Sequence, residues 1–382
     1  MAGATPRCHA GAREGPALGA HALMRVSSAT HCALALLLAV SAAAGCGTPH
    51  RDAADSTAAG RPLAFARQEP FVKRPFRPVS GERWIGNGIA YGPHRDGQRP
   101  GGPSPSPAEV RQDLGLMAKH WRLLRIYGAS GPAETILEAI REDGHDMKVM
   151  LGVWIDPEER PGGNGGGLVP SPEARAANRR EIESAVRLAD AYPEIVIAVS
   201  VGNETQVSWS SHRVPPGLLI GYVREMRART PAPVTVADDF NFWNKPESRD
   251  VARELDFIVT HMHPLWNGLP LAGALDWTRR TFAEVQAAHP GDALVLGETG
   301  WATQKHDVGE QAKLIKGQPG ETQQKIFYDA VAAWAAKERI PVFFFEAFDE
   351  NWKGGEHPDE VEKHWGLFRA DRSPKPALAG GA

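Results

Sequence analysis

Two glutamates stand where apolar runs stop. Glu204 follows "IVIAVSVGN" and Glu298 follows "ALVLG", so each carboxylate sits at the end of a strand-forming stretch with Asn203 or Gly297 just before it. Acidic side chains are almost never fully buried unless paired, and a carboxylate placed there gains little from packing. Two of them facing one another have the parts for acid–base chemistry. One can protonate a leaving oxygen while the other attacks or stabilises a positive anomeric carbon, and a separation of about 5–5.5 Å gives retention at that carbon. Taken singly, either glutamate also fits an ion-paired structural residue.

Aromatic residues fall in matching places. Of 11 tryptophans, Trp154, Trp209, Trp243, Trp266, Trp301 and Trp352 lie at or shortly beyond the ends of the third to eighth apolar runs. Indole faces match the C–H faces of pyranose rings, so the set is predicted to line a sugar groove. His261 and His263, two apart on a strand, share a face and resemble half a metal site. No third and fourth ligand has suitable spacing, Asp238 and Asp239 being the nearest by strand order, so no metal is assigned and the two histidines are assigned to substrate binding.

The elements that must position these residues alternate regularly. Eight short apolar runs ("WIGNGIAYG", "WRLLRIYG", "MKVMLGVW", "EIVIAVSVG", "APVTVAD", "DFIVTHMH", "ALVLGE" and "PVFFFEAF") are separated by amphipathic helical stretches. The helices are predicted over 107–120, 132–143, 172–192, 215–229, 271–289 and 321–337, with a weaker one at 246–254; several begin with proline near the first helical position. Eight strand–helix repeats in about 300 residues fit an α/β fold of the (β/α)8 barrel type, in which active sites form at the carboxyl ends of the strands. An open doubly wound sheet is the alternative, but its glycine-rich dinucleotide turn is missing. "PGGNGGG", from Pro161 to Gly167, lacks the lysine of a phosphate loop and reads as a long flexible loop. No cofactor is implied.

Composition narrows the partners. The 382 residues are 42% hydrophobic and 23% charged with a net charge of -3, which offers no basic stripe to nucleic acid. All three cysteines, Cys8, Cys32 and Cys46, precede the alternating region, so cysteine chemistry plays no part there. Residues 24–46 combine a basic start at Arg25, a short apolar core and small residues, as in an export signal, and Met24 is a candidate start. Residues 47–80, rich in Ala, Arg and Pro, read as a tether, and residues 81–378 as the barrel domain.

Two resemblances extend this reading. The segment Ala43-Ala44-Gly45-Cys46 resembles a bacterial lipoprotein box, which implies lipidation at Cys46 and an exported, envelope-located protein touching a membrane only through that anchor; ordinary signal cleavage is the alternative. From Trp84 to Pro376 the chain resembles glycoside hydrolase family 17, on "GIAYGP", "RIYG", "VMLGVW", "VGNET", "DFIVTHMHPLW", "GETGW", "EAFDENWK" and "HWGLF". That resemblance implies a retaining barrel enzyme acting on β-1,3-glucan, with Glu204 as acid/base and Glu298 as nucleophile. It also implies that Asn203 contacts the sugar 2-hydroxyl, and that Tyr91 and Arg125 bind sugar or orient Glu298. His263 replaces an aromatic residue common in relatives, which leaves the source of the nucleophile's phenol partner open. Glu346, Asp349 and Glu350 are subsite candidates or a solvated acidic turn. Hydrolysis and glucan transfer would use the same two carboxylates. Readings of other classes are a non-catalytic carbohydrate-binding barrel and a metal-dependent hydrolase built on His261 and His263.

Overall fold

The computed structural model of the protein describes residues 65–162 and 167–379. Eight parallel strands close in sequence order into a barrel: β1 (Asn87–Ala90), β2 (Leu123–Ile126), β3 (Lys148–Val153), β4 (Val196–Asn203), β5 (Val234–Asp239), β6 (Ile258–His261), β7 (Leu294–Thr299) and β8 (Val342–Phe344). Its outer layer contains α1 (Pro107–Met117), α2 (Ala133–Glu142), α3 (Pro172–Ala191), α4 (Pro216–Arg229), α5 (Phe240–Trp243), α6 (Ser248–Ala252), α7 (Leu271–Ala288), α8 (Gly309–Leu314) and α9 (Glu321–Glu338). None of these helices is long and apolar enough to cross a membrane.

Strand alternation divides the core in two. Leu123, Met150, Ala198, Ala237, Val259, Val295 and Phe343 fill the barrel interior, while the residues beside them pack outward against the helices in the larger cluster. Local signals fix the helix starts. Ser106 caps α1 by accepting from the Glu109 amide while Glu109 accepts from the Ser106 amide, a reciprocal box that satisfies two otherwise orphaned donors.

Residues 65–80 differ from the tether expected there. The Arg74 amide and guanidinium donate to buried Asp256 at 2.7 and 3.1 Å, and Phe76 stacks on Phe257 with ring centroids 4.8 Å apart, closing the amino-terminal end of the barrel. A Pro- and Arg-rich stretch has no periodicity to betray such packing, because its partners lie more than 150 residues away. On either side of the glycine-rich run after β3, Glu159–Pro161 and Leu168–Pro170 pair as a short antiparallel hairpin, and residues 163–166 of that run lie outside the described residues. The export signal, Cys46 and residues 47–64 lie outside the described residues.

Candidate active site

Glu298 reaches the barrel mouth because β7 is irregular beside β6. Thr260 pairs with Leu296 but His261 pairs with Glu298, so Gly297 is skipped. The carboxylate is 5% exposed. Arg125 Nη1 donates to its Oε1 at 2.6 Å, the Tyr127 hydroxyl donates to the same oxygen at 3.0 Å, and His263 Nε2 lies 3.3 Å from Oε2. Burial alone would push this carboxyl up, but His261, Arg125 and His263 together hold it well below the usual carboxylate range. It is therefore ionised, as a nucleophile must be. Arg125 points inward because it lies two residues after Leu123, an interior residue. Its Nη2 donates to Asn203 Oδ1 at 2.6 Å, joining the ends of β2, β4 and β7.

Glu204 is turned into the mouth by its backbone. Gly202 has φ 80° and Glu204 itself φ 48°, a left-handed conformation that costs a side-chain-bearing residue on the order of 1–3 kcal/mol. The Glu204 amide donates to the Ala237 carbonyl at 2.9 Å, which holds the turn against β5. Its Oε1 lies 3.0 Å from His261 Nδ1. Behind it, Asp238 accepts from the Gln206 amide and Asp239 from the Asn241 amide, each at 2.8 Å. Burial, with the charge of Glu204 added, pushes Asp238 up to about 8 and Asp239 well above its usual range.

The loops after β8 add a second charged cluster. Lys353 Nζ donates to both oxygens of buried Glu346 at 2.7 and 2.6 Å and sits 2.8 Å from Glu350, whose Oε1 accepts from the Trp352 indole at 2.9 Å. Asp349 is taken up by Lys375 at 2.8 Å. Glu362 accepts from the Trp266 indole at 3.0 Å, and burial together with the charge of Glu204 pushes it up to about 7 against the pull of Lys353 and His263. At the end of β3, half-buried Trp154 packs 4.8 Å from the His212 ring. That loop is anchored by buried Glu181 of α3, which accepts from the amides of Ala129, Ser130 and Trp154.

The residues expected from sequence separate into two groups. Glu204, Glu298, Asn203, Arg125, His261 and His263 converge. Trp154 and Trp352 are half-buried at the mouth, and Trp209 is partly buried against the core. Tyr91 does not join them: two residues after outward-facing Ile89, it points into the helix layer, where its hydroxyl donates to Asp113 of α1 at 3.2 Å. Trp243 and Trp301 are not sugar platforms either. Trp243 is completely buried and donates to the Asp238 and Val259 carbonyls, while Trp301 donates to the Gln318 carbonyl and packs on Phe327 of α9. Trp266 is 8% exposed and presents its indole N–H to Glu362. Proximity to a strand end cannot say whether a side chain leans toward the mouth or back over the wall, and three of the six indoles lean back or are enclosed.

Sequence reading missed Tyr127, His212, Lys353, Glu362 and Trp365. Tyr127 was discoverable: it follows Arg125 by two, the strand spacing for one face. It supplies a phenol contact to Glu298 from the β2 end, while His263 packs its ring against Phe345 and Trp365. Among the described residues, Glu204, His261 and Glu298 each offer a metal-ligand atom within 4.8 Å of the others. The imidazole gives a different nitrogen to each carboxylate, however, which suits the placement of protons and charge on two acids more than a common ion.

Comparison with known proteins agrees with this geometry. A glucan 1,3-beta-glucosidase of Arthroderma benhamiae is 26% identical over 301 residues, covering 73% of this chain and 86% of the relative. A glucan endo-1,3-beta-glucosidase btgC of Emericella nidulans is 24% identical over 296 residues, covering 72% of this chain but 42% of the relative. The chain spans about 40% of the length of the first btgC relatives it matches. Among solved structures, an endo-laminarinase from Formosa superposes with a TM-score of 0.67 at 26% identity, covering 79% of this chain and 88% of the other. A family 17 beta-1,3-glucanosyltransferase from Rhizomucor miehei, at 23% identity and a TM-score of 0.60 over 76% and 96% of the two chains, shares the fold. Residues 88–366 match the BtgE/BtgC glycoside hydrolase domain, and the chain belongs to that family.

Proposed function

We propose that the protein is a retaining glycoside hydrolase acting on β-1,3-glucan. The observation that carries this reading is the close approach of Glu204 and Glu298, which place an oxygen each within 4.8 Å of the other. Retaining pairs stand about 5–5.5 Å apart, whereas inverting pairs leave about 6.5–9.5 Å for a water. Glu298, ionised by its cationic and hydrogen-bonding surroundings, attacks the anomeric carbon. Glu204 gives its proton to the departing glycosidic oxygen, and the C1–O bond breaks as the glycosyl ester forms. Glu204 then takes a proton from the incoming hydroxyl, which displaces Glu298 from C1. Asn203, oriented by Arg125, is placed to bond the sugar 2-hydroxyl, and Trp154 and Trp352 offer faces to flanking sugars.

The β-1,3 linkage is supported by the names of the relatives, which are glucan 1,3-beta-glucosidases. Transfer to a sugar acceptor uses the same residues, and the shared fold of the Rhizomucor miehei enzyme keeps it as the second reading. The leader composition supports an exported protein, held at a membrane if Cys46 is lipidated. The test is product analysis by proton NMR on β-1,3-gluco-oligosaccharides, with Glu298→Ala as control. A first-formed β-anomer supports the reading, longer products favour transfer, and binding without turnover would replace it with a carbohydrate-binding barrel.

A further inference from the structure

The His261 ring lies between the two carboxylates. It is completely buried, with Nδ1 3.0 Å from Glu204 Oε1 and Nε2 3.6 Å from Glu298 Oε1. The backbone makes room for it. A Cβ at Gly297 would stand 3.1 Å from His261 Cδ2 and 2.1 Å from Val259 Cγ1, so any larger residue before the nucleophile would press on the imidazole and the wall beneath it. The skipped pairing of Gly297 then brings His261 level with Glu298.

The first half of the proposed cycle needs a proton on Glu204 and none on Glu298. A neutral imidazole protonated on Nε2 meets both needs: its Nδ1 lone pair accepts the O–H of Glu204, and its Nε2–H lies 3.6 Å from the Glu298 carboxylate, beyond hydrogen-bond length but near enough to favour the negative charge. We propose that His261, in the Nε2–H tautomer, is a positioning residue that keeps the shared proton on Glu204 and off Glu298 before substrate arrives; this rests on the roles given to the two glutamates above.

The groups around the ring agree. From β5, burial pushes Asp238 and Asp239 above the usual carboxylate range, and their oxygens accept from the Gln206 and Asn241 amides. From β2, Arg125 bonds Glu298 directly, and from the loop after β6, His263 approaches its other oxygen. Glu362 faces this cluster from the turn at 361–363, its carboxyl pushed up to about 7, chiefly by burial.

The test is the pH profile of kcat/KM for His261→Asn and His261→Phe on a β-1,3-gluco-oligosaccharide, joined to the nitrogen-15 NMR spectrum of the wild-type protein labelled at histidine. In the variants the acid limb, set by Glu298, moves up and the basic limb, set by Glu204, moves down, each by about one pH unit. In the wild type His261 shows a protonated Nε2 and an unprotonated Nδ1. A uniform loss of kcat/KM with both limbs unmoved, or an Nδ1–H tautomer, overturns the proposal. The NMR arm decides it even where a variant fails to fold. An active Glu298→Ala enzyme would instead sink the assignment of the two glutamates, a result neither histidine variant can produce.

Discussion

Replacing Arg125 with methionine removes the cation that bonds Glu298 and Asn203 from inside the barrel, while keeping a side chain of similar length. The Arg125 and Glu298 side chains are 3% and 7% exposed, and their contact is 2.6 Å. Deleting one partner of a buried ion pair costs about 3–5 kcal/mol if the other keeps its charge. Glu298 has an escape, which is to take up a proton, and that makes the cost depend on pH. In the wild type its folded pKa is depressed, so its contribution is present above the unfolded value of about 4.3 and is lost as pH falls through the folded pKa. Without Arg125 the carboxyl is held down by His261 and His263 alone, so its pKa moves up toward the unfolded value. The variant is then penalised more at pH 7–8 than near pH 4–5, where Glu298 begins to take up a proton. A loss of about 3–5 kcal/mol corresponds to a melting temperature lower by roughly 6–10 °C at pH 7.5. Differential scanning calorimetry at pH 4.5 and 7.5 checks this. A difference between wild type and variant that does not shrink toward pH 4.5 would refute the electrostatic account of Glu298.

Other expectations follow from the same geometry. Tyr127→Phe deletes one hydrogen bond to a buried ionised carboxylate, worth about 1.5–3 kcal/mol of stability, and should lower the melting temperature by roughly 3–6 °C and reduce kcat/KM as well. Trp154→Ala should raise KM for oligosaccharides and leave the melting temperature near wild type, whereas Trp243→Ala should cost about 3–5 kcal/mol of stability, read by urea unfolding. Starting the chain after residue 80 should destabilise the barrel measurably, because Phe76 and Arg74 leave Phe257 and Asp256 uncovered; equal urea midpoints for chains beginning at 65 and 81 would show that the strap is dispensable. Activity should survive a strong chelator, and its loss would revive a metal-dependent reading of His261.

The barrel was legible because buried parallel strands read as continuous apolar runs, and two of the helices between them, α1 and α3, announce their starts with Ser-Pro steps. Glu204 and Glu298 were legible for the complementary reason: a carboxylate at the end of such a run is costly to keep without a use. Side-chain direction beyond the strand end was not legible. Tyr91 and Tyr127 occupy similar places after β1 and β2, yet one bonds Asp113 in the helix layer and the other bonds Glu298, since strand alternation aligns Tyr91 with Ile89 and Tyr127 with Arg125. The indoles of Trp243 and Trp301 were misassigned because a large ring packs as readily over the outer wall as over a groove. Glu362 and Lys353 come from loops whose path no periodicity encodes. The strap at 65–80 escaped because its charge partners are distant in sequence.

The central claim is that Glu298 becomes covalently glycosylated and Glu204 manages the proton. The most direct measurement is to incubate the protein with a 2-deoxy-2-fluoro laminari-oligosaccharide carrying an activated leaving group, then map the added mass by peptide sequencing in a mass spectrometer. The account predicts one glycosyl unit attached to the peptide containing Glu298, formed slowly in Glu204→Ala and absent in Glu298→Ala. Label on any other residue, or turnover of natural substrate undiminished by Glu298→Ala, would contradict it.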